Sequence, residues 1–540
     1  MKLRTIVKIA LTTSIVLLCT GFAMYSFFKI SAAENRKDFN LYTLIPPSAT
    51  VVFDTDNLSG FIQDVNDLES SRNNQFLHIS KLFSLLKLNL YSVLEETPHG
   101  LSRQMNKAIL SFHEPDNDRN QIFYCSLGEG DREQVEVFIR QYLSSEYPYK
   151  TFDYKGENIR IYPMEGGDFM ACYLTSDFMV VSYQKKLIEK VIDTYKSGRS
   201  LVKDSLFARS ILPKKGPVAA TVYVRMQPVR MGVATDTLSY DAAIGGWTEF
   251  DLKLKGERIY LSGVNNHVDT CLTLTNVIRR QSPVSGFPGN LLPSTTLFLT
   301  KYSIGDWDSL LKFAEKQPVA KQNSSVYALQ RDKEFLHYLK RHIKGELTTC
   351  TFSRKDTSEV PAVVVSMSID DAVEAEKQLY ALIKAIPKEE GLPRMPRITF
   401  CYTSTRAYGV YPLPENRLLT QLTGVRTPDL YNYSAFYGGQ LLLASDVDAL
   451  KQYIYQLDKG QVLEETAVYQ AGIDGLDNPY HWMLWADLSE VFRLRDNYTR
   501  LLPDYFFRNE DFFRNFILSI QFLVVGEAVH PNINLIYKGS

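Results

Sequence analysis

The sequence predicts an α+β fold of two similar units in tandem, each a mainly antiparallel sheet with packed helices, behind an N-terminal transmembrane helix. The first observation is a repeated opening: residues 47–53 read PSATVVF and residues 293–299 read PSTTLFL. The second is that three further landmarks return in the same order. These are Tyr162-Pro163 with Tyr411-Pro412, Ala171-Cys172-Tyr173 with Ala435-Phe436-Tyr437, and Gly216-Pro217 with Asn478-Pro479.

Residues 9–28 are a run without a formal charge, IALTTSIVLLCTGFAMYSFF. A run of about 20 apolar residues is long enough to cross a bilayer as a helix. The preceding residues 1–8 carry Lys2, Arg4 and Lys8, and basic flanks stay in the cytoplasm. We therefore expect a signal anchor that exports the rest of the chain. A cleaved signal peptide is the alternative, although the run exceeds the usual h-region of about 7–15 residues.

The composition is typical of a packed globular protein. Apolar residues make up 45% and charged residues 22% of the 540 residues, and 60 basic groups nearly balance 61 acidic ones. This near-neutral balance lacks the basic surface of a nucleic-acid-binding protein. The cysteines after the anchor form no CxxC motif, so we expect buried thiols, with a single disulfide left open.

The repeated landmarks set the predicted boundaries. A spacer at 29–42 leads into repeat one at 43–268, and a Pro- and Gly-rich connector at 269–290 precedes repeat two at 291–540. Both repeats are expected to end on the same strand, at 258–264 and 532–537. Each unit is large enough to bury a sizeable core.

Strand and helix patterns alternate within repeat one. Short runs rich in β-branched and aromatic residues predict strands, and apolar residues at helical spacing predict helices. The predicted strands are 50–54, 108–112, 121–127, 159–162, 170–173 and 178–182, and the helices are 132–143 and a segment through Leu187, Val191 and Tyr195. Asp131 and Asp371 stand where helix N-caps are expected.

The aromatic content is high, with 32 Tyr, 30 Phe and 4 Trp. A cluster in repeat two has a counterpart in repeat one that is poorer in aromatic residues, and we interpret the cluster as a candidate groove for lipid or a partner helix. Core packing is the alternative. The candidate ligand-binding residues are Tyr505, Phe506, Phe512, Phe513 and Phe516.

Two other motifs fail as ligand sites. The stretch from Gly128 to Asp131 reads GEGD, and its acidic residues would repel a phosphate, so we expect a turn and a helix cap. His337 and His342 stand five residues apart, about 140° around a helix, which is poor spacing for a metal. We predict neither a metal nor a cofactor.

His267, Asp269 and Cys271 gather the residue types of a thiol nucleophile within a short stretch. Catalytic Cys and His are usually brought together from distant segments. The cluster supports only an alternative hypothesis, a periplasmic hydrolase of unknown substrate.

The opening LIPPSAT at 44–50 returns as LLPSTT at 291–296. With this motif and the anchor, the chain resembles an uncharacterised family of duplicated, membrane-anchored bacterial envelope proteins. The resemblance implies a single-pass inner-membrane protein with most of its chain in the periplasm. Our leading hypothesis is a non-enzymatic envelope protein that binds a protein partner or an apolar ligand, and a lipid carrier is a further alternative.

Overall fold

A computed structural model gives the fold over most of the chain. The structure describes residues 39–72, 104–113, 119–128, 131–139, 149–164, 168–211, 218–225, 246–265, 274–309, 326–354, 361–389, 398–404, 406–413, 432–493 and 504–539.

Ten strands in the first half of the chain form one antiparallel ladder. In space they follow the order β4-β5-β6-β7-β3-β2-β1-β8-β9-β10. Apart from β4, whose side chains are mainly exposed, these strands bury apolar side chains wholly or in part, as expected for paired β-strands. The strands are β1 (Ala49–Thr55), β2 (Ala108–His113), β3 (Gln121–Ser126), β4 (Lys150–Tyr154), β5 (Glu157–Pro163), β6 (Phe169–Leu174), β7 (Phe178–Ser182), β8 (Ala220–Arg225), β9 (Trp247–Lys255) and β10 (Arg258–Val264).

Ten strands in the second half follow the same spatial order. The ladder runs β14-β15-β16-β17-β13-β12-β11-β18-β19-β20. The strands are β11 (Thr296–Ser303), β12 (Ile343–Phe352), β13 (Ala362–Ile369), β14 (Thr399–Tyr402), β15 (Ala407–Pro412), β16 (Tyr433–Tyr437), β17 (Gln440–Ala444), β18 (Trp482–Asp487), β19 (Phe516–Val525) and β20 (Ala528–Tyr537).

The two ladders join through their last strands. β10 pairs antiparallel with β20, with Ile259 opposite Leu535 and Leu261 opposite Ile533. All twenty strands in the described ranges therefore belong to one sheet. The predicted fold class, two units each with its own sheet, is wrong on this point. Periodicity locates strands, but it does not show that the last strand of one ladder pairs with the last strand of the other.

The predicted fold class also places a transmembrane helix at the start of the chain. No helix in the described ranges combines the length and apolar character that a membrane crossing requires. Residues 9–28 lie outside those ranges. The inner-membrane localisation and the domain boundaries stay predictions.

Helices cover both faces of the sheet and bury its apolar side chains. The α-helices are α1 (Leu58–Asp67), α2 (Glu69–Arg72), α3 (Asp131–Phe138), α4 (Lys185–Ser197), α5 (Ser205–Ser210), α6 (Leu274–Arg279), α7 (Val326–His342), α8 (Ala372–Glu389), α9 (Val447–Asp458), α10 (Ala467–Ile473), α11 (Leu488–Arg493), α12 (Asp504–Arg508) and α13 (Glu510–Phe513). Short 3-10 helices span Leu41–Leu44, Leu201–Lys203, Pro288–Leu291 and Leu463–Glu465.

The core lies in separate layers on the two faces of each half. In the first half, Val191 of α4 belongs to one layer and Ile62 of α1 to the other. In the second half, Tyr453 of α9 and Leu379 of α8 lie in different layers. Among the described residues, the strand at each end of the sheet pairs along one side alone.

Candidate functional site

Within the described residues, the sheet has two edge strands, β4 and β14. Among the described residues, β4 pairs with β5 alone and β14 pairs with β15 alone. An edge strand presents a row of unpaired N–H and C=O groups, which is a ready template for another strand. These two edges are therefore the places where the backbone itself could bind a partner.

Side chains of β14 alternate between a buried and an exposed face. Cys401 is 2% exposed, and its Sγ lies 4.0 Å from the backbone oxygen of Lys451 on α9. Burial raises the pKa of this thiol. Phe400 and Tyr402 point to the opposite face, because successive strand residues face opposite ways, and they are 51% and 75% exposed.

Phe400 and Tyr402, here called the aromatic pair, lie side by side. Their ring centroids are 6.3 Å apart, within the range of interacting aromatic rings. Thr399–Tyr402 carries no charged residue. The pair therefore presents an apolar surface beside an open backbone edge.

The neighbouring strand carries a glycine opposite one member of the aromatic pair. Gly409 of β15 stands directly opposite Phe400, and a Cβ atom there would lie 2.8 Å from the hydroxyl of Tyr411. Tyr411 donates a hydrogen bond from its hydroxyl to Glu376 Oε1 of α8 at 2.5 Å. Burial, together with this carboxylate, raises the pKa of Tyr411. The missing side chain at Gly409 thus leaves room for a tyrosine that α8 holds in place.

The β4 edge differs in its chemistry. Lys150 and Asp153 place charges within the strand. Its exposed ring, Phe152, is covered by Lys185 of α4, whose Nζ lies 5.2 Å from the ring centroid. Charged side chains on an edge strand discourage the addition of another strand. We therefore take β14 as the candidate site.

A polar cluster that the sequence did not predict surrounds His113, at the end of β2. The ring is 2% exposed. Its Nδ1 lies 3.1 Å from Ser48 Oγ and its Nε2 lies 2.9 Å from Ser111 Oγ. Tyr124 OH is 3.1 Å from the same Ser111 Oγ. The second ring nitrogen contacts a hydroxyl where a catalytic triad has a carboxylate, so this geometry is that of a buried polar network.

Burial lowers the pKa of His113 to about 4, and the charge of Lys190 acts in the same direction. The imidazole is therefore neutral near pH ~7. The sequence signal was weak, because Ser48 is 65 residues from His113 and only the β1–β2 pairing brings them together.

The predicted aromatic cluster takes part in the core. Phe513 and Phe516 are buried, whereas Phe506 and Phe512 are partly buried beside them. The rings contact one another, with centroids 4.6 Å apart for Phe506 and Phe513 and 4.8 Å apart for Phe512 and Phe516. Tyr505 belongs to α12, and its side chain lies outside the described part of the structure. Ligand binding by this cluster stays a prediction.

The other candidates fall into two groups. His267, Asp269 and Cys271 lie outside the described residues. The four cysteines that the structure does describe, Cys125, Cys172, Cys350 and Cys401, are free and buried in strands, as predicted. Within the described ranges, no group of three or more His, Cys, Asp or Glu side chains could hold a metal ion.

Comparisons with known proteins agree with one part of the resemblance, the uncharacterised family. Residues 10–242 match the family described as "Protein of unknown function (DUF3352)", which supports an uncharacterised family. No curated protein matches the chain. A solved structure, "Structure of crystal form I of TP0453", aligns with 46% of this chain and 89% of its own at 9% identity and a TM-score of 0.27. A score this low carries no argument about fold or function.

Proposed function

We propose that this chain is a binding protein, and that its β14 edge takes up an extended segment of a protein partner. One observation supports this most directly. Of the two edge strands in the described part of the sheet, β14 alone combines a strand without charge with two exposed aromatic rings. A small apolar ligand could use the rings alone, whereas a polypeptide strand uses both the rings and the backbone edge.

In the proposed complex, the partner strand continues the sheet beyond β14. Main-chain hydrogen bonds supply affinity, and pockets for alternate side chains supply specificity. An apolar side chain of the partner would lie against the aromatic pair, and aromatic contacts contribute about 0.5–1.5 kcal/mol each beyond their buried area. The opposite face of β14 is occupied by Cys401 against α9. Selection by side chain would therefore come from the exposed face.

A site-specific cross-linking experiment tests this proposal. A photoreactive amino acid replaces Tyr402 in the tagged full-length protein, and a matched control replaces Phe152 on the β4 edge. We expect the probe at 402 to capture one protein partner in native cells. The cross-link should map to a single extended peptide of that partner. The probe at 152 should not capture it.

Binding of that peptide is then measured with purified protein. Loss of both rings in the double variant Phe400→Ser, Tyr402→Ser should weaken binding by at least about tenfold, equivalent to ~1.4 kcal/mol. Phe152→Ser should bind as the wild type does. Hydrogen exchange should show new protection of the β14 amides in the complex. Equal binding by the double variant, unprotected β14 amides, or capture of lipid alone would contradict the proposal.

A further inference from the structure

A surface cleft lies between α7 and α8. The two helices are joined by a hydrogen bond from Tyr338 OH to the backbone oxygen of Ala375 at 3.1 Å, and by a contact of 2.8 Å between His342 Nε2 and Gln378 Oε1. Beside these contacts the surface opens into a cleft of about 390 Å³. Small-molecule sites are usually clefts of about 300–1,000 Å³.

The rim of this cleft is mainly basic. Lys333, His337 and Arg341 all line it. They stand four residues apart on α7, so they share one face of the helix. The eight-residue separation of the outer two corresponds to about 12 Å along the axis, so one anion placed over His337 could reach both cations. Glu334 is the acidic residue on the same rim.

Within the described ranges, these basic side chains differ from their neighbours in their ion pairs. Lys340 of the same helix pairs with Asp308 at 2.8 Å, and Lys344 just beyond it pairs with Asp370. The side chains of Lys333, His337 and Arg341 form no hydrogen bond or ion pair within the described ranges. The three basic groups thus outnumber the one carboxylate on the rim, Glu334, and none of them pairs with it.

The floor of the cleft is apolar. It is formed by Tyr338, which is 5% exposed, and by Leu382 of α8, which is partly buried. A rim of cations above an apolar floor matches a ligand with an anionic group attached to an apolar body. Arg and Lys form charge-assisted hydrogen bonds with phosphate and carboxylate oxygens, and the apolar body would cover the floor.

We infer that the cleft between α7 and α8 binds an anionic amphiphile, with its phosphate or carboxylate held by Lys333 and Arg341 and its apolar part lying on Tyr338 and Leu382. If these side chains only formed the solvated face of a helix, they would be equally exposed. Binding of a ligand would then not depend on both its charge and its apolar tail.

Titration calorimetry of the full-length protein separates these cases with three probes: decyl phosphate, inorganic phosphate and decyl maltoside. The two decyl compounds are kept below their critical micelle concentrations. We expect decyl phosphate to bind in a 1:1 complex, and the other two to bind at least about tenfold more weakly. Equal binding of inorganic phosphate would remove the role of the floor, and equal binding of decyl maltoside would remove that of the rim. Either result would overturn the inference.

Variants locate the binding in the cleft. The double variant Lys333→Ala, Arg341→Ala should bind decyl phosphate at least about tenfold more weakly. The matched control is Lys340→Ala, which removes a charge from the same helix outside the cleft and should bind as the wild type does. Circular dichroism confirms that each variant is folded. Unchanged binding by the folded double variant would sink the inference.

This site is independent of the β14 edge. The variant Phe400→Ser, Tyr402→Ser should keep its affinity for decyl phosphate, because the aromatic pair does not line the cleft. Failure of one proposal therefore leaves the other standing.

Discussion

At the scale of single residues, the buried network at His113 links stability to pH. The pKa of His113 is lowered to about 4 in the folded protein, because burial disfavours the charged ring. In the unfolded chain the pKa of histidine is about 6.5. Between these values the unfolded state binds more protons than the folded state. The stabilisation from a neutral His113 is therefore complete above pH ~6.5 and is lost as the pH falls towards ~4.

We predict that this residue makes the wild type lose about 3 kcal/mol of unfolding free energy across that window. His113→Gln keeps polar atoms beside Ser48 and Ser111 but cannot take up the proton, so its urea midpoint should depend less on pH. The measurement is the urea midpoint above pH ~7 and near pH ~4.5 for both proteins. His337→Gln, at an exposed position, is the control and should follow the wild type. Parallel pH profiles for wild type and His113→Gln would show that another group is responsible.

At the scale of elements, α8 depends on its N-cap. Asp371 Oδ1 accepts hydrogen bonds from the backbone N–H groups of Val373 and Glu374, both at 3.1 Å. These bonds satisfy donors that lack partners within the helix. The N-cap predicted at Asp371 is thus confirmed. At the other predicted position, Asp131, the carboxylate accepts from the N–H of Gly128 at 2.7 Å, on the turn that leads into α3.

Removal of the cap by Asp371→Ala should lower the unfolding free energy by about 1 kcal/mol. The control is Lys377→Ala, an exposed position on the same helix, where we expect little change. Chemical denaturation of both variants measures the difference. Because α8 forms one wall of the cleft, decyl phosphate should stabilise the wild type against urea, and the folded variant should keep most of that effect. An unchanged denaturation midpoint for Asp371→Ala would mean that other contacts stabilise the first turn of α8.

The positions of the strands could be predicted from the sequence better than the exposure of their side chains. The strand predicted at 178–182 matches β7, and that at 258–264 matches β10, because both are long enough for β-branched and apolar residues to show a pattern. β14 is only four residues, and its exposed rings have the composition of a core strand. In the other direction, the cluster with Phe513 and Phe516 suggested a groove, yet these rings are buried. Aromatic content alone does not distinguish a packed ring from an open one.

At the scale of the whole molecule, the junction between β10 and β20 decides whether the two halves unfold together. Asn265 and Val529 exchange both backbone hydrogen bonds, at 2.8 and 3.0 Å. In an antiparallel ladder such pairs alternate with pairs that exchange none. Leu261 and Ile533 are opposite each other in the same register, so they also form a hydrogen-bonded pair. The N–H of Leu261 therefore bonds across the junction.

Leu261→Pro removes that donor and places a ring in an interior strand, where proline is rarely tolerated. We predict that the wild type unfolds in one calorimetric transition, since the ladder is continuous, and that Leu261→Pro unfolds in two. The matched control is Thr151→Pro on β4. The two-residue turn at Lys155 and Gly156 joins β4 to β5 and makes Tyr154 and Glu157 a hydrogen-bonded pair. Hydrogen-bonded and non-hydrogen-bonded pairs alternate along the ladder, so Thr151 lies in a non-hydrogen-bonded pair and its N–H points away from β5. That variant should keep a single transition. Two transitions in the wild type, or one in a folded Leu261→Pro variant, would show that the halves are coupled by contacts other than the shared ladder.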